Sequence, residues 1–183
     1  MCSSDLSPGE PYDAINHIVA GADYGWPYCI DMARVAPAWP WQRPFCAHVK
    51  PPVSLLPPHG APLDLIYYHG AMFPELEGRM LVTLHGYRST GSRILAIETD
   101  AAGAPTTSPK ATFEAYPRKT GLSLVNRYRG PGPVGLDLTP DWDAWKGVRP
   151  AGSPVGLAIA PDGAIWVAED RNGAILRIAR AGS

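Results

Sequence analysis

Four basic side chains lie beside predicted strands and could together bind an anionic ligand. His85 and Arg88 directly follow the apolar run Met80–Leu84, in a loop flanked by glycine. His59 lies in a proline-framed turn before another apolar segment, and Arg149 precedes the last predicted strands. The planar fork of arginine binds two carboxylate oxygens at once, and histidine supplies a hydrogen bond or a charge. These residue types are typical of a site for an anionic cofactor or substrate.

Each of these residues also has a structural alternative. His85 and Arg88 fit a solvated hairpin loop, His59 fits a rigid turn without a ligand, and Arg149 fits a solvent-facing position. Arg93, early in its apolar segment, is predicted to be an exposed strand residue.

The elements that must position these residues are short strands. Near the end of the chain, apolar segments alternate with Asp-Gly and Asn-Gly turns, which are strong hairpin signals. The predicted strands are Val155–Ile159, Ala164–Ala168 and Ala174–Ala179. Asp162 and Asp170 lie in the two turns between them, where aspartate commonly caps its own backbone. The sequence therefore predicts an antiparallel meander of three strands.

A looser copy of this unit occurs upstream. It consists of Ala61–Tyr67, Met80–Leu84 and Gly91–Ile97. Two similar three-strand units favour an all-β repeat architecture, and a β-propeller is the leading interpretation. A β-sandwich also fits strands with such turns. Residues 100–152 lie between the units and are predicted to be a loop-rich insertion, with a strand at Ala111–Tyr116 and two packing side chains, Trp142 and Trp145.

Composition limits the classes of protein to consider. The chain has 183 residues, of which 45% are apolar and 18% charged, and its formal net charge is −1. These values indicate a globular domain and disfavour a nucleic-acid partner, which would call for a basic excess. No apolar run in the sequence is long enough to be predicted as a transmembrane segment. The abundance of glycine (19) and proline (21) suits short strands joined by turns.

The first residues, 1–6, resemble the translation of a sequencing-adapter end, with an ordinary N-terminus as the alternative. We therefore take residues 7–183 as the partial propeller. Within that range Cys29 and Cys46 flank a segment rich in proline and tryptophan. A disulfide between them would stabilise the fold by about 3 kcal/mol in the chain-entropy model and would indicate an exported protein. Two unpaired thiols are the alternative.

Four phrases resemble one known family and occur in that family's order. The phrases are Asp13-Ala14-Ile15-Asn16-His17-Ile18 continuing to Tyr24-Gly25-Trp26-Pro27-Tyr28-Cys29, Pro58-His59-Gly60-Ala61-Pro62-Leu63 followed by Phe73-Pro74, Leu81-Val82-Thr83-Leu84-His85-Gly86-Tyr87-Arg88, and Pro154-Val155-Gly156-Leu157 through Asp162-Gly163 to Asn172-Gly173. They cover nearly all of residues 12–180. The chain resembles the C-terminal part of the glucose/sorbosone dehydrogenases, the soluble aldose sugar dehydrogenases that depend on pyrroloquinoline quinone.

This resemblance implies about three blades of a six-bladed β-propeller. It further implies a periplasmic or secreted enzyme that binds pyrroloquinoline quinone beside Ca²⁺, oxidises an aldose or sorbosone-like sugar and passes electrons to an acceptor. The family's catalytic histidine and the carbonyls that hold its calcium lie before the point that matches Asp13. The resemblance therefore places no catalytic residue and no metal ligand in this chain, and the fragment is expected to be inactive alone.

The resemblance also implies roles for individual residues. His85 matches a lysine or histidine position that points at the cofactor, and His59 matches a hydrogen-bonding position near it. Ser153 stands where many members have arginine, so Arg149 is the candidate to supply that charge. Ala14 stands where many members have a glutamate that binds a structural calcium. The Asp170 side chain could face the central channel of a propeller.

Two other functions stay open. A non-enzymatic propeller that serves as a binding module is the main alternative, because the fold hosts many functions and Ser153 and Ala14 depart from the pattern. A hydrolytic, lactonase-like propeller would use clustered acids and Asn around a calcium ion, whereas the candidates here are His and Arg.

Overall fold

The protein is described by a computed structural model that covers residues 12–86, 91–108, 132–133, 135–139, 142 and 152–181. The regular secondary structure of these residues is mainly β-strand, joined by turns and loops. The strands are β1 Asp13–Ile15, β2 Cys29–Ile30, β3 Arg34–Val35, β4 Ser54–Leu56, β5 Pro62–Tyr67, β6 Met80–Leu84, β7 Arg93–Ile97, β8 Thr107–Ser108, β9 Gly132–Pro133, β10 Gly135–Asp137, β11 Pro154–Ile159, β12 Ile165–Glu169 and β13 Ala174–Ile178. The helical elements are one turn of α-helix, α1 Arg43–Cys46, and 3-10 turns at Pro40–Gln42 and Pro74–Leu76. The all-β prediction is confirmed.

The first repeat unit forms a four-stranded antiparallel sheet in the order β10-β7-β6-β5. Its three consecutive strands match the predicted segments. The fourth strand, β10, lies within residues 100–152 and pairs with β7. All five residues of β6 and of β7 are buried, because both faces of this sheet are covered. This double coverage explains why both strands read as nearly continuous apolar runs.

The second unit forms a three-stranded antiparallel sheet, β11-β12-β13, as predicted. Burial alternates along β12, with Ile165 and Val167 buried and Trp166 exposed. The turn at Asp162 behaves as predicted, since its Oδ1 accepts the N–H of Ala164 at 3.0 Å. One face of this sheet is therefore packed and the other carries exposed side chains, among them Ile175.

The two sheets pack face to face over a shared core. Buried Leu81, Ile94 and Ala96 of the first sheet meet Ile165 and Val167 of the second. Trp142 joins this core with 2% of its surface exposed, as the sequence analysis predicted. The opposite face of the first sheet packs on residues from β1 and β4, so the four-stranded sheet is the middle of three layers.

The edge strands β5 and β11 each contain a register break, and hydrogen bonds join the two sheets near these breaks. The break in β5 lies between Pro62 and Leu65, and that in β11 lies between Pro154 and Gly156. Asp64 Oδ2 accepts the N–H of Leu157 at 2.7 Å, and Thr83 Oγ1 donates to the carbonyl of Val155 at 3.2 Å. The open edge of β11 is thus covered by polar side chains of the neighbouring sheet, in place of the pairing partner that an edge strand lacks.

Cys29 and Cys46 form a disulfide, with their Cα atoms 5.7 Å apart. The bond joins β2 to α1 and packs with Val49 in a small cluster separate from the sheet cores. The predicted pairing is confirmed. Among the described residues, no helix has the length and apolar character needed to cross a membrane.

Several predictions fall outside the described residues. They are the adapter-like segment 1–6, the strand Ala111–Tyr116, Trp145, and the candidate site residues Arg88 and Arg149.

Candidate ligand-binding site

The turn that carries His59 is held in an uncommon backbone conformation. His59 and Ala61 have φ angles of 60° and 48°, which place two non-glycine residues in the left-handed region. Such residues cost of order 1–2 kcal/mol each and persist where other contacts fix them. Here the N–H of Gly60 donates to Pro57 at 3.1 Å, and Asp13 Oδ2 accepts the N–H of Ala61 at 3.0 Å. The half-buried His59 therefore lies in a backbone that is fixed from two sides.

The His85 loop packs directly on this turn. The N–H of His85 donates to the carbonyl of Ala61 at 3.1 Å, and that of Gly86 donates to Gly60 at 2.9 Å. A β-carbon at Gly86 would overlap the carbonyl oxygen of His59, so only glycine permits this approach. The structure thus brings the predicted residues His59 and His85 into neighbouring backbone segments at one end of the first sheet.

The side chain of His85 contacts the second sheet. Its Nε2 lies 3.0 Å and 3.1 Å from the two carboxylate oxygens of Asp170, in the turn that follows β12. His85 is 30% exposed and Asp170 is 57% exposed, so the pair is open to solvent. The carboxylate of Asp170 does not cap its own turn, one of the two roles predicted for it; the other, facing the channel of a propeller, stays a prediction. The pair forms because the end of β6, which carries His85, packs beside the end of β12, which carries Asp170.

The prediction that Arg93 is exposed is wrong. Its side chain is 2% exposed and lies 3.3 Å from Asp137 Oδ2, at the end of β10. A buried guanidinium needs such a carboxylate partner. No local pattern indicates this pair, because Asp137 lies more than forty residues away in the segment interpreted as an insertion.

Ser153, which stands where many family members have arginine, is fully buried. Its N–H donates to Glu169 Oε1 at 2.7 Å, while Glu169 Oε2 accepts the N–H of Asn172 at 2.8 Å. Glu169 itself is 2% exposed, so its carboxylate closes the base of the turn that carries Asp170. Ser153 therefore contributes to the support of the site and supplies no cation.

Burial raises the pKa of the Asp13 carboxyl, although the N–H groups of Ala61 and Gly60 and the nearby His59 offset part of that rise. The contact with Ala61 ties this carboxyl to the His59 turn. Asp162, in an exposed turn, shows the opposite behaviour: the N–H of Ala164 and the guanidinium of Arg177 lower the pKa of its carboxyl.

These opposite directions predict opposite pH dependences. A carboxyl whose pKa is raised by folding stabilises the fold below its unfolded pKa, and that contribution is lost as pH rises through the folded pKa. Asp13→Asn keeps an oxygen acceptor for Ala61 and should gain stability relative to the native protein as pH rises from about 4 to 7. Asp162→Asn should instead lose relative stability as pH rises from about 2 to 5 and change little above that, because a lowered pKa places the change at and below the unfolded value. Urea unfolding at several pH values tests this, and parallel profiles for the two variants would contradict it.

In the described part of the chain, no group of three or more His, Cys, Asp or Glu side chains is placed to hold a metal ion. The chemistry available there is hydrogen bonding by two histidines and by backbone groups. Arg88 and Arg149 stay predictions for the site, because they lie outside the described residues.

One protein family and several solved structures are similar to this chain. The sequence model of the family described as Glucose / Sorbosone dehydrogenase matches residues 7–109, more than half of the chain. The holo form of the pyranose dehydrogenase PQQ domain from Coprinopsis cinerea is similar in structure, with a TM-score of 0.51 and 22% identity over 87% of this chain. A calcium structure of a Trichoderma reesei carbohydrate-active enzyme of family AA12 has a TM-score of 0.49 and 19% identity over 85% of this chain.

The match covers only 40% of the pyranose dehydrogenase domain and 38% of the AA12 enzyme, so the chain spans less than half the length of either structure. The likeness to the pyranose dehydrogenase domain shows a shared fold. No curated protein matches the chain.

Proposed function

Because this chain belongs to the glucose/sorbosone dehydrogenase family, we propose that it is part of a sugar-oxidising quinoprotein and forms one wall of its cofactor pocket. The observation that carries this proposal is the position of His85. Its ring lies at the end of the first sheet, partly exposed, beside the His59 turn and against the turn of the second sheet. A ligand bound at this end would meet side chains from both repeats.

The residues present fit part of what pyrroloquinoline quinone requires. The cofactor carries three carboxylates and a quinone, so it is rich in acceptors and needs donors and cations. His85 supplies one imidazole, and His59, Arg88 and Arg149 are the other candidates. When bound, the quinone would accept the two electrons removed from an aldose or sorbosone-like sugar. The part of His85 would be to hold and orient an acceptor oxygen of the cofactor.

The described residues contain no cluster of three or more His, Cys, Asp or Glu side chains, and we propose that most ligands of the family's Ca²⁺ lie outside this chain. We propose that the catalytic base also lies in the part of a family enzyme that has no counterpart in this chain. We therefore propose that the isolated chain is inactive and that the complete protein oxidises the sugar and passes electrons to an acceptor.

The wider architecture is proposed to be a six-bladed β-propeller, of which this chain supplies about three blades. Support comes from the two repeat units, which form separate antiparallel sheets packed face to face. The disulfide supports a periplasmic or secreted location, since such bonds persist in oxidising compartments.

Titration of pyrroloquinoline quinone into the chain, followed by quenching of tryptophan fluorescence, tests the proposed function. We expect saturable binding that His85→Ala weakens about tenfold, because a charge-assisted hydrogen bond is lost. His69→Ala is the matched control: His69 also pairs with a carboxylate, Glu77, at 2.7 Å, but it follows β5 at the opposite end of the sheet. Equal losses in both variants, or no binding by the native chain, would contradict the proposal.

The same preparation tests the proposed inactivity. With quinone, Ca²⁺ and an aldose added, we expect no sugar-dependent reduction of an artificial electron acceptor. Robust turnover would show that the chain contains a complete catalytic site. If the quinone does not bind, the alternative of a non-enzymatic binding module gains support.

A further inference from the structure

The carboxylate of Asp170 is not used by the turn in which it lies. That turn is closed by the N–H of Gly173, which donates to the Asp170 carbonyl at 3.2 Å, and by Glu169, which accepts the N–H of Asn172. Asp162 shows the ordinary alternative, since its Oδ1 caps the N–H of Ala164 in the preceding turn. The side chain of Asp170 is therefore available for another contact.

That contact is with His85, a residue of the neighbouring sheet that is 85 positions away in sequence. Nε2 lies almost equally far from both carboxylate oxygens, at 3.0 and 3.1 Å. Every side-chain hydrogen bond of His85 to the described residues goes through Nε2. A carboxylate at neutral pH only accepts, so Nε2 must carry a proton and Nδ1 is the ring atom left for a ligand.

We propose that Asp170 is a positioning residue for His85, one that holds the ring with Nε2 inward and presents Nδ1 to the ligand. Nδ1 donates to an acceptor of the ligand when the ring is the imidazolium, because the neutral ring with its proton on Nε2 can only accept at Nδ1. This inference rests on the proposed function of His85 in binding pyrroloquinoline quinone. Asp170 joins the ends of two repeats, so the orientation of His85 depends on the packing of the second sheet on the first. Histidines that bind metals or act in catalysis are commonly oriented in the same way, by a second group on the other ring nitrogen.

The charge of Asp170 opposes binding of an anionic ligand, whereas its acceptor oxygens favour it by orienting the ring. The two effects can be separated by substitution. Asp170→Asn keeps an amide that can pair with Nε2 and removes the charge, so it should bind the quinone as tightly as the native chain or more tightly. Asp170→Ala removes the acceptor as well and should weaken binding about fivefold.

Three comparisons test this inference by fluorescence titration with pyrroloquinoline quinone. We expect Asp170→Ala to weaken binding, Asp170→Asn not to weaken it, and Asp170→Ala to have no further effect when His85 is already alanine. Asp162→Ala, at the opposite end of β12, is the control for loss of a turn carboxylate and should leave the affinity unchanged. Equal losses in the alanine and asparagine variants, or a full loss in the His85→Ala background, would overturn the positioning role.

A measurement without the quinone separates this inference from the proposed function. In nitrogen-edited NMR spectra of the histidine rings, the Nε2 proton of His85 should exchange with solvent more slowly in the native chain and in Asp170→Asn than in Asp170→Ala. Equal exchange rates in all three proteins would overturn the inference, even if the quinone binds. Failure of the native chain to bind the quinone would instead contradict the proposed function, with the NMR result still deciding whether Asp170 orients His85.

Discussion

Replacing Gly86 with alanine should lower the free energy of unfolding by about 4 kcal/mol, from overpacking against rigid backbone and a lost hydrogen bond. The new β-carbon would overlap the carbonyl oxygen of His59 and crowd the carbonyl of Gly60, which lies 3.0 Å from it. Both obstacles are main-chain atoms, so no change of rotamer relieves the overlap. The bond from Gly86 N–H to Gly60 must lengthen or break. Urea unfolding measures the loss in stability.

The same substitution should abolish quinone binding, because it separates the His59 turn from the His85 loop. Gly156→Ala is the matched control. A β-carbon there would meet only Ala168 Cβ at 3.8 Å and Asp64 Oδ2 at 3.9 Å, which are ordinary contacts. It should change stability by less than about 1 kcal/mol. If Gly86→Ala proved as mild as Gly156→Ala, the close approach of the two loops would be wrong.

Replacing Glu169 with alanine should lower the free energy of unfolding by about 4 kcal/mol, because one buried and one partly buried donor lose a charged acceptor. Those donors are the N–H groups of Ser153 and Asn172, at 2.7 and 2.8 Å from the carboxylate. Both N–H groups lie in turn or loop backbone, outside the strands. Thermal unfolding followed by circular dichroism measures this loss.

Glu169→Gln refines the test, because the amide keeps one acceptor oxygen and turns an NH₂ group toward the other N–H. It should cost about 2 kcal/mol, between the native protein and the alanine variant. Glu98→Ala is the control for removal of a glutamate from an exposed pair, since Glu98 is 45% exposed and lies 3.4 Å from Arg79. That control should cost less than about 1 kcal/mol. A small cost for Glu169→Ala would show that solvent reaches the turn.

The repeat units could be predicted from sequence because their signals are local. Apolar segments of five or six residues, separated by Asp-Gly and Asn-Gly turns, specify short strands joined by hairpins. The strands Met80–Leu84 and Ala174–Ile178 begin and end within one residue of their predicted bounds. The positions of His59 before a strand and His85 after one follow from the same pattern.

Contacts between distant segments could not be predicted in this way. From its local sequence Arg93 resembles an exposed strand residue, but its partner Asp137 lies in β10. Asp170 likewise resembles a turn cap, but the packing of the two sheets places it beside His85. Both pairs depend on how two sheets are stacked, which local periodicity does not encode. One signal was present: Asp64 stands in an apolar strand at the position where the second repeat has Gly156. A charged residue that interrupts one copy of a repeat indicates a contact specific to that copy.

The link from Asp64 to Leu157 has a consequence for hydrogen exchange. The Leu157 N–H points off the edge of β11, so its protection comes from the carboxylate of another sheet, not from the ladder of its own sheet. An amide within the β12–β13 ladder exchanges when that sheet opens. The Leu157 amide exchanges as soon as the two sheets part, even if each remains folded. Exchange of the Leu157 amide thus reports how readily the contact between the two repeats opens, the same contact that joins Asp170 to His85.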